Sequence, residues 1–78
     1  MLTLYQREEC PYCHKVRQKM TDLGLTYTVV NVSREREQRQ ELYSVSGQYL
    51  IPVLVDGETV ITDSDQIVAY LEKNYRRA

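Results

Sequence analysis

Two cysteines, Cys10 and Cys13, stand with two residues between them and are the only cysteines in the chain. A thiol pair at this spacing can cycle between dithiol and disulfide, or supply two ligands to a metal. As a structural staple it closes almost no loop, so it constrains the unfolded chain very little. Zinc needs about four ligands, and His14 is the one histidine available beside the two thiols. No metal is therefore expected within one chain, and His14 is given no role. Redox chemistry is the reading that uses both residues. Pro11, which has φ preset and no N–H to lose, suits the first turn of a helix. Cys10 then falls at the helix start, where unpaired N–H groups and the positive end of the macrodipole favour a negative charge. Thiols in such places ionise well below the free value of about 8.5. Cys10 is the expected attacking sulfur. Cys13, inside the first turn, is the expected resolving one. Arg7, Lys15 and Arg17 add positive potential nearby, which Glu8 and Glu9 partly oppose.

The elements that must position this pair can be read along the chain. Leu2 to Tyr5 alternates apolar and polar residues and predicts a first strand. After the polar break at Gln6 to Glu9, Val16, Met20 and Leu23 recur at spacings of four and three, the core stripe of a helix that Gly24 ends. Thr26 to Val32 is rich in β-branched residues and predicts a second strand. Ser33 is the expected cap of a second helix running to about Val45, with Glu35 and Arg39 paired on its outer face. Pro52 to Val55 and Glu58 to Ile61 predict a hairpin around Asp56-Gly57, with a type I′ turn. Asp63 or Ser64 caps a last helix that turns Ile67, Val68 and Leu71 inward. The order is β-α-β-α-β-β-α, an α/β fold whose four-stranded mixed sheet is flanked by three helices, as one domain over residues 1–78.

Composition excludes several functions. Lys and Arg number 10 against 11 Asp and Glu, a formal charge of −1, so the strong positive field of a nucleic-acid binder is absent. No run of about 18 apolar residues exists to cross a membrane. The first residues lack the basic and apolar regions of a signal peptide, so the expected address is cytoplasmic. Phe and Trp are missing while Tyr occurs 7 times, so every large ring carries a hydroxyl that needs water or a partner.

With Cys10-Pro11-Tyr12-Cys13 in place, nearly the whole chain resembles the glutaredoxins, whose fold is thioredoxin-like. Arg7 stands where that family usually has a basic residue. Ile51-Pro52 matches its cis-proline, and Ser64-Asp65 its site for the γ-glutamyl carboxylate of glutathione. The stretch Asp63 to Leu71 also looks like the N-terminal domain of glutathione S-transferases. The resemblance implies a monomeric, glutathione-dependent thiol–disulfide oxidoreductase that reduces protein disulfides or glutathionylated proteins. Cys10 and Cys13 would be catalytic, and Arg7, Tyr12, Ile51, Pro52, Ser64 and Asp65 would hold glutathione. Physics agrees with that use, since a helix N-terminus accepts a carboxylate and exposed backbone at Ile51 can pair with an extended peptide. The chain departs from the family at Leu50, at Tyr49 and at Thr62-Asp63, where the family has a threonine, a basic residue and Gly-Gly. Two alternatives stay open: a redoxin reduced by a thioredoxin-reductase-type flavoprotein or another small thiol, and a non-catalytic iron–sulfur carrier with a cluster bridged between two chains.

Overall fold

A computed structural model describes residues 1–75; the last three residues of the expected domain lie outside them. Four strands form one sheet in the order β2-β1-β3-β4. The strands are β1 (Leu2–Gln6), β2 (Thr28–Asn31), β3 (Val53–Asp56) and β4 (Thr59–Ile61). β1 runs parallel to β2 with Leu4 opposite Val29, and antiparallel to β3 with Leu4 opposite Leu54. The α/β architecture expected from the sequence is the one observed, with helices α1 (Pro11–Asp22), α2 (Gln40–Ser46) and α3 (Ser64–Tyr75).

Leu2, Leu4 and Leu54 meet Val16, Met20, Ile67 and Leu71 in the larger core, beneath α1 and α3. Tyr5, Val32, Leu42 and Val53 form a smaller cluster that includes α2. α1 ends where Gly24 takes φ 67°, which a side chain would resist. There the Gly24 N–H donates to the Thr21 carbonyl (2.9 Å) and the Leu25 N–H to that of Met20 (2.9 Å), a Schellman closure.

Two local expectations need correction. In the hairpin, Asp56 pairs with Thr59, so Gly57 and Glu58 are the central residues. Only glycines have positive φ among the described residues, and Gly57 takes 62°. A glycine-first turn of the II′ kind therefore replaces type I′. The second helix is also shorter than predicted. A 3-10 turn (Arg36–Gln38) comes first, and α2 begins only at Gln40. Ser33 does not cap it, because its hydroxyl accepts the Glu35 N–H instead (3.2 Å). Arg39 does not pair with Glu35. It is 8% exposed and donates to the carbonyls of Ser33 (2.7 Å), Tyr49 (2.8 Å) and Arg34 (3.4 Å). A guanidinium spent on carbonyls from both sides leaves the 33–39 segment folded around it rather than wound into a helix.

Candidate functional site

Cys10 caps α1. Its backbone is extended (φ −78°, ψ 117°), and its Sγ accepts the Cys13 N–H at 3.2 Å. One of the helix's orphan donors is thus spent on sulfur, where it favours a negative charge. No acidic side chain lies in the first turn of α1 to oppose that field. Cys10 is half-buried and Cys13 fully buried, and neither is in a disulfide. Burial first, and then its hydrogen bond to the Cys10 sulfur, push the Cys13 thiol up to about 12. The Arg17 guanidinium, one turn further along the helix, acts in the opposite sense.

The loop that delivers Cys10 is held from below. Gln6 is buried at the end of β1, and its amide donates to the Asn31 side chain at 2.6 Å. Arg17 donates to the Gln6 amide oxygen and reaches the Arg7 and Glu8 carbonyls, both at 3.4 Å, with the Glu8 carboxylate 3.3 Å away. The sequence places Gln6 in a polar break and gives Arg17 only a share in the positive potential near Cys10. The period-two alignment of Gln6 with Leu2 and Leu4 was the signal that it faces the core. A core-facing amide then needs partners from the neighbouring helix.

Across from Cys10 the Ile51–Pro52 peptide bond is cis, as the resemblance implied. A cleft of about 540 Å³ brings together six of the expected residues: Cys10, Tyr12, Ile51, Pro52, Ser64 and Asp65. Cys13 is fully buried and does not line it. Arg7 opens onto a second groove, of about 350 Å³, which shares Cys10, Arg36, Arg39 and Ile51 with the first. Arg7 donates to the Val32 carbonyl (2.8 Å) and to Glu9, whose carboxyl it holds below the ordinary range.

Of the two expected caps of α3, Asp63 does the capping. Its carboxylate accepts the Gln66 N–H at 3.0 Å. Ser64 is buried against the cleft, and exposed Asp65 pairs with Lys15 of α1. The site can therefore present a sulfur, a strand-like backbone edge and a helix N-terminus to one extended ligand. Among the described residues, no three His, Cys, Asp or Glu side chains are grouped to ligate an ion.

The family model described as glutathione S-transferase, N-terminal domain, matches residues 4–78. An uncharacterized glutaredoxin-like 8.6 kDa protein in the rubredoxin operon of Clostridium pasteurianum is 29% identical over 62 residues, which are 78% of this chain and 83% of that protein. A zeta-class glutathione S-transferase from Euphorbia esula is 32% identical over 71 residues, 91% of this chain but 32% of the transferase. Among solved structures, glutathione transferase E6 from Drosophila melanogaster superposes with a TM-score of 0.89 at 33% identity, covering 100% of this chain and 36% of the other. The chain thus spans about a third of the length of these transferases, and most of the glutaredoxin-like protein.

Proposed function

The chain belongs to the glutathione S-transferase N-terminal domain family, and from that premise we propose that it is a dithiol thiol–disulfide oxidoreductase reducing protein disulfides or glutathionylated proteins. The observation that carries this reading is the unequal placement of the two thiols. Cys10 opens onto the cleft with its sulfur on a helix N-terminus, while Cys13 is buried beside it and held protonated. A transferase that binds glutathione for conjugation has no use for the second thiol. Dithiol reduction of a protein disulfide needs it.

The roles follow from electrostatics. Cys10, as thiolate, attacks one sulfur of the substrate disulfide, and the other sulfur leaves as a thiolate. The mixed disulfide carries no charge on Cys10. The interaction with that sulfur, one cause of the raised Cys13 pKa, is then lost. Burial remains, opposed by Arg17, so Cys13 becomes easier to ionise at the step that needs it. Its attack on Cys10 releases the second thiol and leaves the Cys10–Cys13 disulfide, which two molecules of glutathione can reduce. In this reading Ser64 and the first N–H groups of α3 receive the γ-glutamyl carboxylate, Ile51 pairs with the peptide backbone, Tyr12 and Pro52 bracket the sulfur, and Arg7 faces the glycyl end.

The carboxylates of Asp63 and Asp65 beside Ser64 favour a second reading, in which another small thiol or a flavoprotein reductase supplies the electrons. One assay separates the two: reduction of a small glutathionylated disulfide, coupled to glutathione reductase and NADPH. Turnover abolished by Cys10→Ser and retained by Cys13→Ser supports the glutathione-fed enzyme. Absence of turnover while Cys10 and Cys13 still form a disulfide moves the assignment to a different donor.

A further inference from the structure

The whole chain has a formal charge of −1, yet one side of the Cys10 cleft is strongly cationic. The groove that leads away from Cys10 and Ile51 is walled by Arg7, Arg34, Arg36 and Arg39, with Glu9 as its one carboxylate. Two of these four guanidinium groups are already committed. Arg39 serves three carbonyls, and Arg7 serves Val32 and Glu9. Arg34 and Arg36 are exposed and make no side-chain hydrogen bond or ion pair among the described residues; the charge of Arg34 reaches Glu9 only through space. Glu35 and Glu37 adjoin them in sequence but do not line the groove. The far end of the cleft, around Ser64, instead carries two carboxylates, Asp63 capping α3 and Asp65 paired with Lys15.

We infer that this groove selects disulfide partners whose polypeptide carries acidic residues beside the reacting cysteine, with the acidic flank lying along Ile51 and onto Arg34 and Arg36. The inference rests on the reading of Cys10 as the exchange nucleophile, and it names the substrate class for that same site. Because Cys10, Ile51, Arg36 and Arg39 line both grooves, a chain that leaves a bound disulfide by way of Ile51 must pass this guanidinium wall. A polypeptide suits the rim, where Tyr12 (63% exposed) and Leu50 (49%) offer apolar contacts next to the charge. Uncompensated cations at the mouth of a cleft raise the rate of encounter with anionic partners, an effect that salt screens.

The test uses pre-reduced protein, so no external donor enters. Three peptides each carry one cysteine as a mixed disulfide with thiopyridine, flanked by Asp-Asp, Ser-Ser or Lys-Lys. Attack by Cys10 forms the Cys10–peptide disulfide and expels thiopyridone, which is measured by its absorbance. Cys13 then displaces the peptide thiol and closes the Cys10–Cys13 disulfide, the two electrons having passed from the protein to the substrate. Each rate is divided by that of a free small thiol with the same peptide, which removes intrinsic reactivity. The acidic peptide should react about tenfold faster than the neutral one at low salt. The lysine peptide should be slowest, and the three rates should converge around 1 M salt, where the screening length is about 3 Å. Arg34→Glu combined with Arg36→Glu should reverse the order within the same protein, a readout independent of any general loss of activity. Equal rates for the three peptides, or an order unchanged in the double variant, would overturn the inference. If no peptide outpaces its small-thiol background, the reading of Cys10 itself fails.

Discussion

The two faces of the sheet are held by different means. On one, α1 and α3 press seven buried apolar side chains together, and Lys15–Asp65 and Lys19–Glu72 ion pairs bridge the two helices. On the other, four side chains and a seven-residue helix are supplemented by the buried guanidinium of Arg39. The thick face carries both thiols, because α1 belongs to it. The thin face carries the opposing wall, since Arg39 ties the 33–39 segment to the strand of backbone that leads through Tyr49 to Ile51. Dispersion and apolar burial are non-directional, whereas three hydrogen bonds from one planar cation fix where carbonyls sit. The lesson is that the chemistry rests on packing while the shape of the cleft rests on directed polar contacts.

The largest expected effect compares the two cores directly. Leu71→Ala and Leu42→Ala each empty a site that is 0% exposed, at a cost of about 2–5 kcal/mol. Leu71, in the larger cluster, should fall towards the top of that range and Leu42 towards the bottom in urea unfolding. Equal losses would break the contrast between the faces. Arg39→Met keeps the aliphatic stem but leaves the Ser33 and Tyr49 carbonyls short of donors, a loss of about 1–3 kcal/mol. It should also raise KM for disulfide substrates by disturbing the wall at Ile51. A variant with full stability and unchanged KM would show that the thin face does not depend on this cation.

A smaller effect lies at the end of the sheet away from the thiols. Asp56 accepts the hydroxyls of Tyr75 (2.6 Å) and Tyr70 (2.7 Å), which hold its carboxyl below the ordinary range. A depressed folded-state pKa stabilises above the unfolded value and is lost as pH falls through the folded one. Asp56→Asn should cost about 1–2 kcal/mol at neutral pH, and acid unfolding curves of the two proteins should converge below about pH 4. Persistent separation at low pH would assign the loss to packing. The smallest effect is on the thick face in alkali. The raised Cys13 pKa contributes stability that is complete below the free thiol value of about 8.5 and is lost as pH rises towards about 12. Cys13→Ser should flatten that slope in the reduced protein, measured by thermal unfolding against pH. An unchanged slope would mean that Cys13 is not the titrating group.

What the sequence made legible follows the same division. The thick face could be read because its signals are local: the i, i+3, i+4 stripe of α1, Pro11 and Gly24 at its ends, and Ile67 and Leu71 on α3. The cysteine pair was legible from its spacing and Pro11 alone, whereas the cis-proline came with the resemblance. On the thin face the local signals misled. Ser33, Glu35 and Arg39 are spaced as a cap and an ion pair, but the carbonyls that claim Arg39 include one ten residues away at Tyr49. The Gln6–Arg17–Asn31 network was missed for the same reason, since its partners come from three elements. Turn chemistry at Asp56-Gly57 located the hairpin, yet the register moved the turn by one residue. Propensity and periodicity see neighbours along the chain; a buried polar group is satisfied wherever the fold brings an acceptor.

The central claim is that Cys10 attacks and Cys13 resolves. Its most direct test is the intact mass of reduced protein after reaction with one equivalent of a small aromatic disulfide, followed by mapping of the modified residue. The native chain should lose two hydrogens to the Cys10–Cys13 disulfide and retain no adduct. Cys13→Ser should trap one aryl thiol on Cys10, and Cys10→Ser should react far more slowly. An adduct that persists on the native chain, or one that maps to Cys13, would contradict the account.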